Sequence, residues 1–445
     1  MKNKDIQLSD HFDVKRMIRF TMPSIIMMIF TSIYGVVDGF FVSNFVGKTP
    51  FAAVNFIFPV IMLLGALGFM FGTGGSALVA MTLGTGRKEK ANKLFTMTVY
   101  ISFFVGVLLA IISFFLIEPV ASVLGAEGQF LADSVLYGKI IICALPFFML
   151  QFEFQSFFIT AEKPKLGLYF TVASGVTNMS LDYLFMAVFD WGLVGAALAT
   201  SLSQVVGGVI PIVYFARKNN SLLCFTKFEF DGRALIKTCT NGSSELMNNI
   251  SMSLVSMLYN FQLMKYAGED GIAAYGVLMY VNMIFLAIFI GFSVGISPVI
   301  GYHHGACNHS ELHGLLKKSI IIIGVSSMGM LLLGELLALP LSVAFVGYDK
   351  GLMDITLHGF IIYSFSFLFS GIAIFGSSFF TALNDGLISA VMAFIRTIVF
   401  QVIAVIVLPL FLNLSGIWLS IVVAEFGAAV ISVLFIFVKR HKYNY

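Results

Sequence analysis

Apolar runs long enough to cross a lipid bilayer recur twelve times along the chain. They fall near 17–45, 51–81, 94–117, 134–160, 166–189 and 192–216, then near 243–266, 271–302, 314–339, 355–382, 386–411 and 415–438. Each predicts a helix, because a helix satisfies its own backbone polar groups where no water can. A polar stretch over 217–240, with Arg217, Lys218, Lys227, Arg233 and Lys237, divides the runs into two sets of six. The expected fold is therefore an all-α integral membrane protein of twelve transmembrane helices. Its two six-helix lobes occupy 1–216 and 241–445, joined by the connector.

The lobes carry an internal repeat at a constant offset of 221. Gly47, Ala52 and Ala53 recur as Gly268, Ala273 and Ala274, and Gly74, Ser76 and Gly84 as Gly295, Ser297 and Gly305. Pro119 matches Pro340, Gly138 matches Gly359, and Gly195 matches Gly416. Residues 154–161 and 375–382 share five identities in eight positions. With an even number of spans each, the halves have the same orientation, related by an axis along the membrane normal. Such parallel repeats build transporters whose substrate site lies between the halves near the midplane.

Polar residues interrupt the runs at particular places. Asp38 lies deep in the first, where a carboxylate costs ~2.5–3.5 kcal/mol unless it faces protein or a wet cavity. Thr31, Tyr34 and Asp38 share one helix face, beside a Gly35-x-x-x-Gly39 that lets another helix come close. Pro23 removes a backbone hydrogen bond four turns earlier, a place for bending. In the fifth run Asn178 and Asp182 are four residues apart, as are Thr200 and Gln204 in the sixth, so each pair shares a face. Two carboxylates, an amide oxygen and a hydroxyl could coordinate a hard cation such as Na⁺, or share a proton. The repeat sharpens this reading: Asp38, Asn178, Asp182 and Thr200 fall opposite Tyr259, Val399, Ile403 and Ile421. Helix-packing polar residues would survive in both copies; these do not, which favours one asymmetric site.

The seventh run carries a stripe of Glu245, Asn248, Asn249, Met252, Ser256 and Asn260 at steps of three and four. With Tyr34, Gln155 and Asn282, the residues Glu245, Asn249, Met252 and Ser256 make the expected substrate wall. Glu153 is a weaker candidate. Arg396, the one guanidinium deep inside a run, lacks an acid that the sequence can identify, and Glu118, Glu335 and Glu425 are expected near helix ends.

Composition agrees with the pattern: 59% of residues are hydrophobic and 11% charged, against about 25% charged in soluble chains. Basic residues gather at the termini and in alternate loops, including Arg87, Lys88, Lys90, Lys93, Lys163, Lys165, Lys317 and Lys318. The opposite side keeps Lys48, Lys265 and Lys350 beside acids such as Glu127, Asp190 and Glu269. By the positive-inside rule both termini are cytoplasmic. The polar first sixteen residues lack a cleavable signal pattern, so the first span doubles as an uncleaved signal. The four cysteines have no disulfide or metal spacing. His303, His304, His309 and His313 read as a solvated cytoplasmic loop, and the glycine-rich stretches at 72–76 and 84–88 lack the GxxxxGK[ST] pattern for nucleotide.

Taken together, Pro23, Tyr34-Gly-Val-Val-Asp38-Gly-Phe-Phe-Val42, Gly47-Lys-Thr-Pro-Phe-Ala-Ala-Val-Asn-Phe-Ile-Phe-Pro59 and Asn178-x-x-x-Asp182 resemble the multidrug and toxic compound extrusion (MATE) transporters. The resemblance runs over essentially the whole chain and is nearest the bacterial branch with small N-lobe cation sites. It implies that Asp38, Asn178, Asp182 and Thr200 form the cation or proton site and that Pro23 lets the first helix bend. It implies no enzyme and no cofactor beyond a coupling Na⁺. The partners it implies are amphipathic small molecules and the bilayer, with no nucleic acid, in a monomer of the bacterial inner membrane. The family's other large branch places an acid in span ten, where this chain offers Ser366, Ser370, Ser377 and Thr381. Three other readings compete. A flippase of a lipid-linked saccharide needs a cationic cavity, which Arg396 alone does not make. A major-facilitator carrier needs a DRxGRR-like loop, missing from Leu83–Lys90. An intramembrane aspartyl protease expects GxGD, where Asp38 and Asp182 have VVDG and SLDY.

Overall fold

The computed structural model describes residues 6–347 and 349–445, without the side chains of Val36, Ser43, Lys48, Thr49, Ser253 and Glu269. Lys2 and Lys4, among the basic residues of the N-terminus, and the side chains of Lys48 and Glu269 thus lie outside the described residues. All regular structure in the described residues is helical. Helix α1 (Val14–Phe41) runs into a π-helical turn, and α2 (Lys48–Gly84), α3 (Lys88–Val123), α4 (Gly128–Cys143) and α5 (Leu145–Thr160) follow. Next come α6 (Pro164–Asp182), a second π turn (Tyr183–Val188) and α7 (Gly192–Ala216). The second half contains α8 (Gly232–Gly305), α9 (His309–Val346), α10 (Lys350–Ser364) and α11 (Phe367–Ala382). It ends with α12 (Gly386–Phe394), a third π turn (Ile395–Phe400), α13 (Gln401–Val407) and α14 (Pro409–Tyr443).

These elements make the twelve spans. Among the described residues eight helices are long and apolar enough to cross a membrane, ten if two bent pairs count as one span each. The other two expected spans fall on α6 with its π turn and on the first half of α8, the elements that carry the Asn178–Asp182 and Glu245 polar faces. Asp231 caps α8, its carboxylate accepting from Arg233 N and Ala234 N. Helix therefore begins at Gly232, and the extended part of the connector is shorter than the polar stretch suggested.

The repeat is visible in the backbone. The fourth and tenth spans, read from sequence as continuous, bend by 57° and 49°. The breaks fall at Ala144 and Phe365, at the repeat offset. Pro146 in the first turn of α5 accounts for one break. At the other, Ser364 and Ser370 bond back to the carbonyls of Phe360 and Ser366, a habit that bends helices. Gly47 and Gly268 also correspond, with φ of 117° and 63°. Both turn the chain where a Cβ would be strained, and Gly268 splits α8 into the seventh and eighth spans.

Buried side chains form three clusters. One lies within the N-terminal lobe around Ile57, Ile141 and Met149. A second lies within the C-terminal lobe around Tyr259, Phe360 and Trp418. The third joins the lobes at the end of the bundle that holds both termini, and includes Leu78, Phe95, Phe154, Phe292, Phe375 and Phe379. Close backbone contact there depends on glycine. A Cβ on Gly84 would lie 2.0 Å from the Tyr302 carbonyl, and one on Gly305 would lie 2.0 Å from that of Met81. The two contacts are images of each other under the repeat. A Cβ on Gly242 would meet the Met70 carbonyl at 1.9 Å. Asn384 adds a cross-lobe bond from Nδ2 to the Ala77 carbonyl, 3.1 Å.

The N-terminal segment straps the same end. Leu8 N donates to Glu162 Oε1 of the N-terminal lobe at 2.6 Å. Phe12 N donates to Glu311 Oε1 of the C-terminal lobe at 2.8 Å, and Lys318 donates to the Phe12 carbonyl. Leu8 and Phe12 are fully buried. The histidine reading needs correction here: His303 and His304 lie in the last turn of α8 rather than in a loop, and His303 is buried.

At this end Asp385, between α11 and α12, accepts from the Tyr443 hydroxyl and from Lys442 Nζ at 2.9 Å. Burial alone would raise its pKa, but these two donors outweigh it and hold the carboxyl below its usual range. A depressed pKa adds stability above the ordinary value of 3.8, and that contribution is lost as pH falls through the folded value. Asp385→Asn should therefore lower the melting temperature at neutral pH, at a cost of about 1 kcal/mol or less. The difference from wild type should shrink as pH falls below the carboxylate range, and a gap that stays constant with pH would assign the loss to packing.

Candidate functional site

Three helices of the N-terminal lobe bring the candidate cation residues together. Asp38 comes from α1, Asn178 and Asp182 from α6, and Thr200 from α7. Thr200 Oγ1 donates to Asp38 Oδ1 at 3.4 Å, and Asn178 Nδ2 reaches Thr200 Oγ1 at 3.5 Å. The Asp182 carboxylate faces that of Asp38. Asp182 is fully buried and Asn178 nearly so, while Asp38 is half-buried. The four residues scattered over 163 positions of sequence thus form one cluster, as their helix faces predicted.

What the cluster lacks is as informative as what it has. Both oxygens of Asp182 and the Asn178 Oδ1 are buried without a hydrogen-bond partner among the described residues. An unmatched buried acceptor is costly, and three around one point call for a positive group. The donor set is all oxygen, with two carboxylates, an amide carbonyl and a hydroxyl, which suits a proton or a hard monovalent cation. These residues would hold Na⁺ if that is the ion. Nearby, Gly175 gives α1 its approach: a Cβ there would lie 2.4 Å from the Phe30 ring and 3.4 Å from Tyr34.

Tyr137 of α4 was missed from sequence. Its buried hydroxyl stands beside Thr200, Asp38 and Asp182. It sits on α4, away from the first, fifth and sixth spans that carry the other members of the cluster, so spacing carried no signal for it. Tyr34, expected on the substrate wall, instead packs beside Asp38, Phe30 and Gly175 and does not line the central cavity.

That cavity, of about 330 Å³, lies between the lobes. Gln155, Glu245, Asn249, Met252, Ser256 and Asn282 all line it, as expected. Its volume is at the lower end of the range for drug-sized ligands. Phe69, Phe152, Tyr259, Tyr275 and Tyr363 supply aromatic faces, which suit flat apolar molecules and cations. Pro23 is buried inside α1, where the adjacent Ser24 and Ile25 backbone meets Gly291 of α8.

Two acids sit elsewhere than expected. Glu425, read as lying near a helix end, is in the middle of α14 and buried. It is the missing partner of Arg396. Arg396 Nε bonds both its oxygens at 3.1 Å, and Nη2 bonds Oε1 at 3.0 Å. Glu335 lies inside α9 rather than at its end, while Glu118 pairs with Lys139 at 3.6 Å. Glu153 is fully buried in α5, its carboxylate without a hydrogen-bond partner among the described residues. It lies on the α2 side of α5, where its Cα meets Gly72.

Comparison with known proteins agrees with this geometry. The MatE family model matches twice, over residues 23–184 and 246–407, once in each lobe. The multidrug export protein MepA of Staphylococcus saprophyticus is 25% identical over 99% of this chain and 98% of its own length. The protein of that name from Staphylococcus aureus strain MRSA252 is 24% identical over 96% and 94%. Among solved structures, an outward-facing multidrug resistance MATE family transporter of the MOP superfamily superposes with a TM-score of 0.93. It is 22% identical and covers 100% of this chain and 99% of its own. With the family model covering both lobes and the fold shared from end to end, the chain belongs to the MATE family of multi-pass membrane transporters.

Proposed function

We propose that the chain exports amphipathic organic cations from the bacterial cytoplasm in exchange for H⁺ or Na⁺, by alternating access of its two lobes. The observation that carries this reading is the placement of the unsatisfied oxygen cluster. It lies in one lobe alone and takes Asp38 from α1, the helix whose Met28 lines the aromatic-walled cavity that both lobes share. An ion entering that cluster changes the charge on α1, and α1 packs against α8 of the other lobe. Loading the site therefore acts on the lobe interface as well as on the cavity. Pro23 lies on that path, where a missing backbone bond lets α1 change its course.

Sidedness follows from charge. The end closed by Gly84, Gly305 and the N-terminal strap is the end that carries the basic loops, so it is the cytoplasmic one. On this reading the structure is closed inward and depicts the outward-facing state. The names of the staphylococcal relatives and of the outward-facing structure support multidrug export as the activity. A lipid-linked pyrophosphate finds little support, because Arg396 is the single basic residue among the described residues that line the cavity.

The test is efflux of a fluorescent cation from vesicles under imposed gradients. A tenfold ion gradient supplies ~1.4 kcal/mol, and 100 mV supplies ~2.3 kcal/mol per net charge moved. If one ion enters as one monovalent cation leaves, net charge movement is zero. Efflux should then follow the pH or Na⁺ gradient and ignore an imposed potential. Two ions per drug would make it respond to both. Efflux indifferent to both ions removes the antiport reading.

A further inference from the structure

The N-terminal lobe has charged residues that the C-terminal lobe lacks, and the reverse also holds. Under the 221-residue offset, Arg396 takes the place of Gly175 and Glu425 takes the place of Gln204. The exchange is sterically prepared. Phe30 and Tyr34, which crowd Gly175, correspond to Ser251 and Val255. The smaller side chains leave space for a guanidinium in the C-terminal lobe. Arg396 also stands in the π turn Ile395–Phe400, a helix irregularity common at functional sites.

The pair forms part of the cavity wall rather than of the core. Arg396 and Glu425 both line the cavity, at 14% and 3% side-chain exposure. Gln401 Nε2 also donates to Glu425, at 3.3 Å. Nε and Nη2 are committed to Glu425, but Nη1 makes no hydrogen bond among the described residues. Glu245 of the same wall lies within electrostatic reach of Arg396. Two polar atoms of that wall, Asn248 Oδ1 and the Tyr259 hydroxyl, are buried without a partner, Tyr259 at 2% exposure. The wall is therefore built for a polar ligand that the protein does not itself supply.

A plain organic cation makes no use of a guanidinium that Glu425 already neutralises. The group that a guanidinium fork matches is a planar carboxylate. We propose that Arg396 binds a carboxylate on the transported molecule while Glu245 faces that molecule's cationic nitrogen, so that the C-terminal lobe selects zwitterions over plain cations. The inference rests on the cavity being the transport path. Glu425 holds the guanidinium in place and neutralises it when no such substrate is bound, which keeps an unpaired charge out of the membrane interior.

The test uses two xanthene dyes, one with an amine cation and a free carboxylate, the other its ethyl ester. Vesicles containing wild-type protein should export both, with a measurable ratio of kcat/KM for acid over ester. Arg396→Gln combined with Glu425→Gln leaves no unpaired charge, and should lower that ratio about tenfold or more. Glu425→Gln alone releases the guanidinium and should lower KM for the acid. Arg396→Lys keeps the charge, loses the fork, and should also lower the ratio. Thermal melting of each purified variant separates these effects from misfolding, and any one variant that folds decides the matter. A ratio unchanged in the folded variants overturns the proposal, as does export of the ester alone by wild type. Export of neither dye by wild type removes the transport reading itself, and this inference with it.

Discussion

Asp38→Asn should abolish ion-coupled export, reducing efflux to that of vesicles without the protein, while the variant remains folded in the membrane. The amide keeps the size of the side chain and can still meet Thr200, which contacts Asp38 Oδ1 at 3.4 Å. It cannot carry the charge that pairs with an entering cation, nor take up and release a proton. The unsatisfied oxygens of Asp182 and Asn178 remain in place, so the variant tests coupling rather than architecture. Asp182→Asn should have the same effect, because the two carboxylates face each other and act as one unit. Neither effect should be the sum of two independent losses: the double variant should be no worse than either single one. Efflux is followed with purified protein in vesicles under an imposed pH or Na⁺ gradient. Wild-type rates in Asp38→Asn would remove Asp38 as the coupling residue, and additive losses would separate it from Asp182.

Gly84→Leu should open the end of the bundle that holds both termini, the cytoplasmic end on the proposed sidedness. A Cβ at this position would sit 2.0 Å from the Tyr302 carbonyl. That obstacle is backbone and cannot swing aside, so the two helices must separate. Overpacking of this kind costs about 1–3 kcal/mol, which corresponds to about a 5- to 150-fold change in the balance between two conformations. Gly305→Leu should do the same, since it presses on the Met81 carbonyl at the symmetry-related contact. Ala80, fully buried in the closed interface near Gly301, supplies the reporter. A cysteine there, on a background without the four native cysteines, should react slowly with an impermeant reagent added from the cytoplasmic side. In Gly84→Leu it should react about tenfold faster or more, and export should fall because the outward-facing state is depopulated. Equal labelling and equal export in both proteins would mean that this contact does not close the cytoplasmic end.

Much of the oxygen cluster could be read before any coordinates. Asp38 was conspicuous because carboxylates are rare in apolar spans, and Asn178, Asp182 and Thr200 stood out through helix spacing and absence from the second repeat. Those signals are local, or compare a residue with its counterpart at a fixed offset. The polar face on the first half of α8 was legible for the same reason, and its residues do line the cavity. Tyr137 was not legible. It reaches the cluster from α4, and one tyrosine among fifteen carries no mark of what it will face. Tyr34 shows the converse: sharing a helix face with Asp38 placed it beside the oxygen cluster and outside the cavity lining.

The misreading of Glu425 has the same origin. Sequence position along a hydrophobic run gives depth only within a few residues, and it gives no information about which helix lies opposite. Arg396 and Glu425 were therefore read as an orphan cation and an interfacial acid, although they form a three-bond pair. The bends at Ala144 and Phe365 were likewise hidden inside apolar runs that look continuous. A helix that breaks for one or two residues keeps its hydropathy, so the pattern does not register the change in direction.

By itself, then, the sequence determined the class of the protein, the number and approximate limits of its spans, the division into two related lobes and the four residues that meet in the N-terminal oxygen cluster. Those properties follow from lipid burial of apolar runs and from the helical period, which act within a segment or between copies of one. The tertiary structure decided which end of the bundle is closed, where the cavity lies, and which charges neutralise one another. These depend on side chains far apart in the chain, such as Gly84 with Tyr302, Phe12 with Glu311 and Arg396 with Glu425. Contacts of that kind are fixed by how helices cross in space, and the periodicity of a single helix cannot encode the crossing.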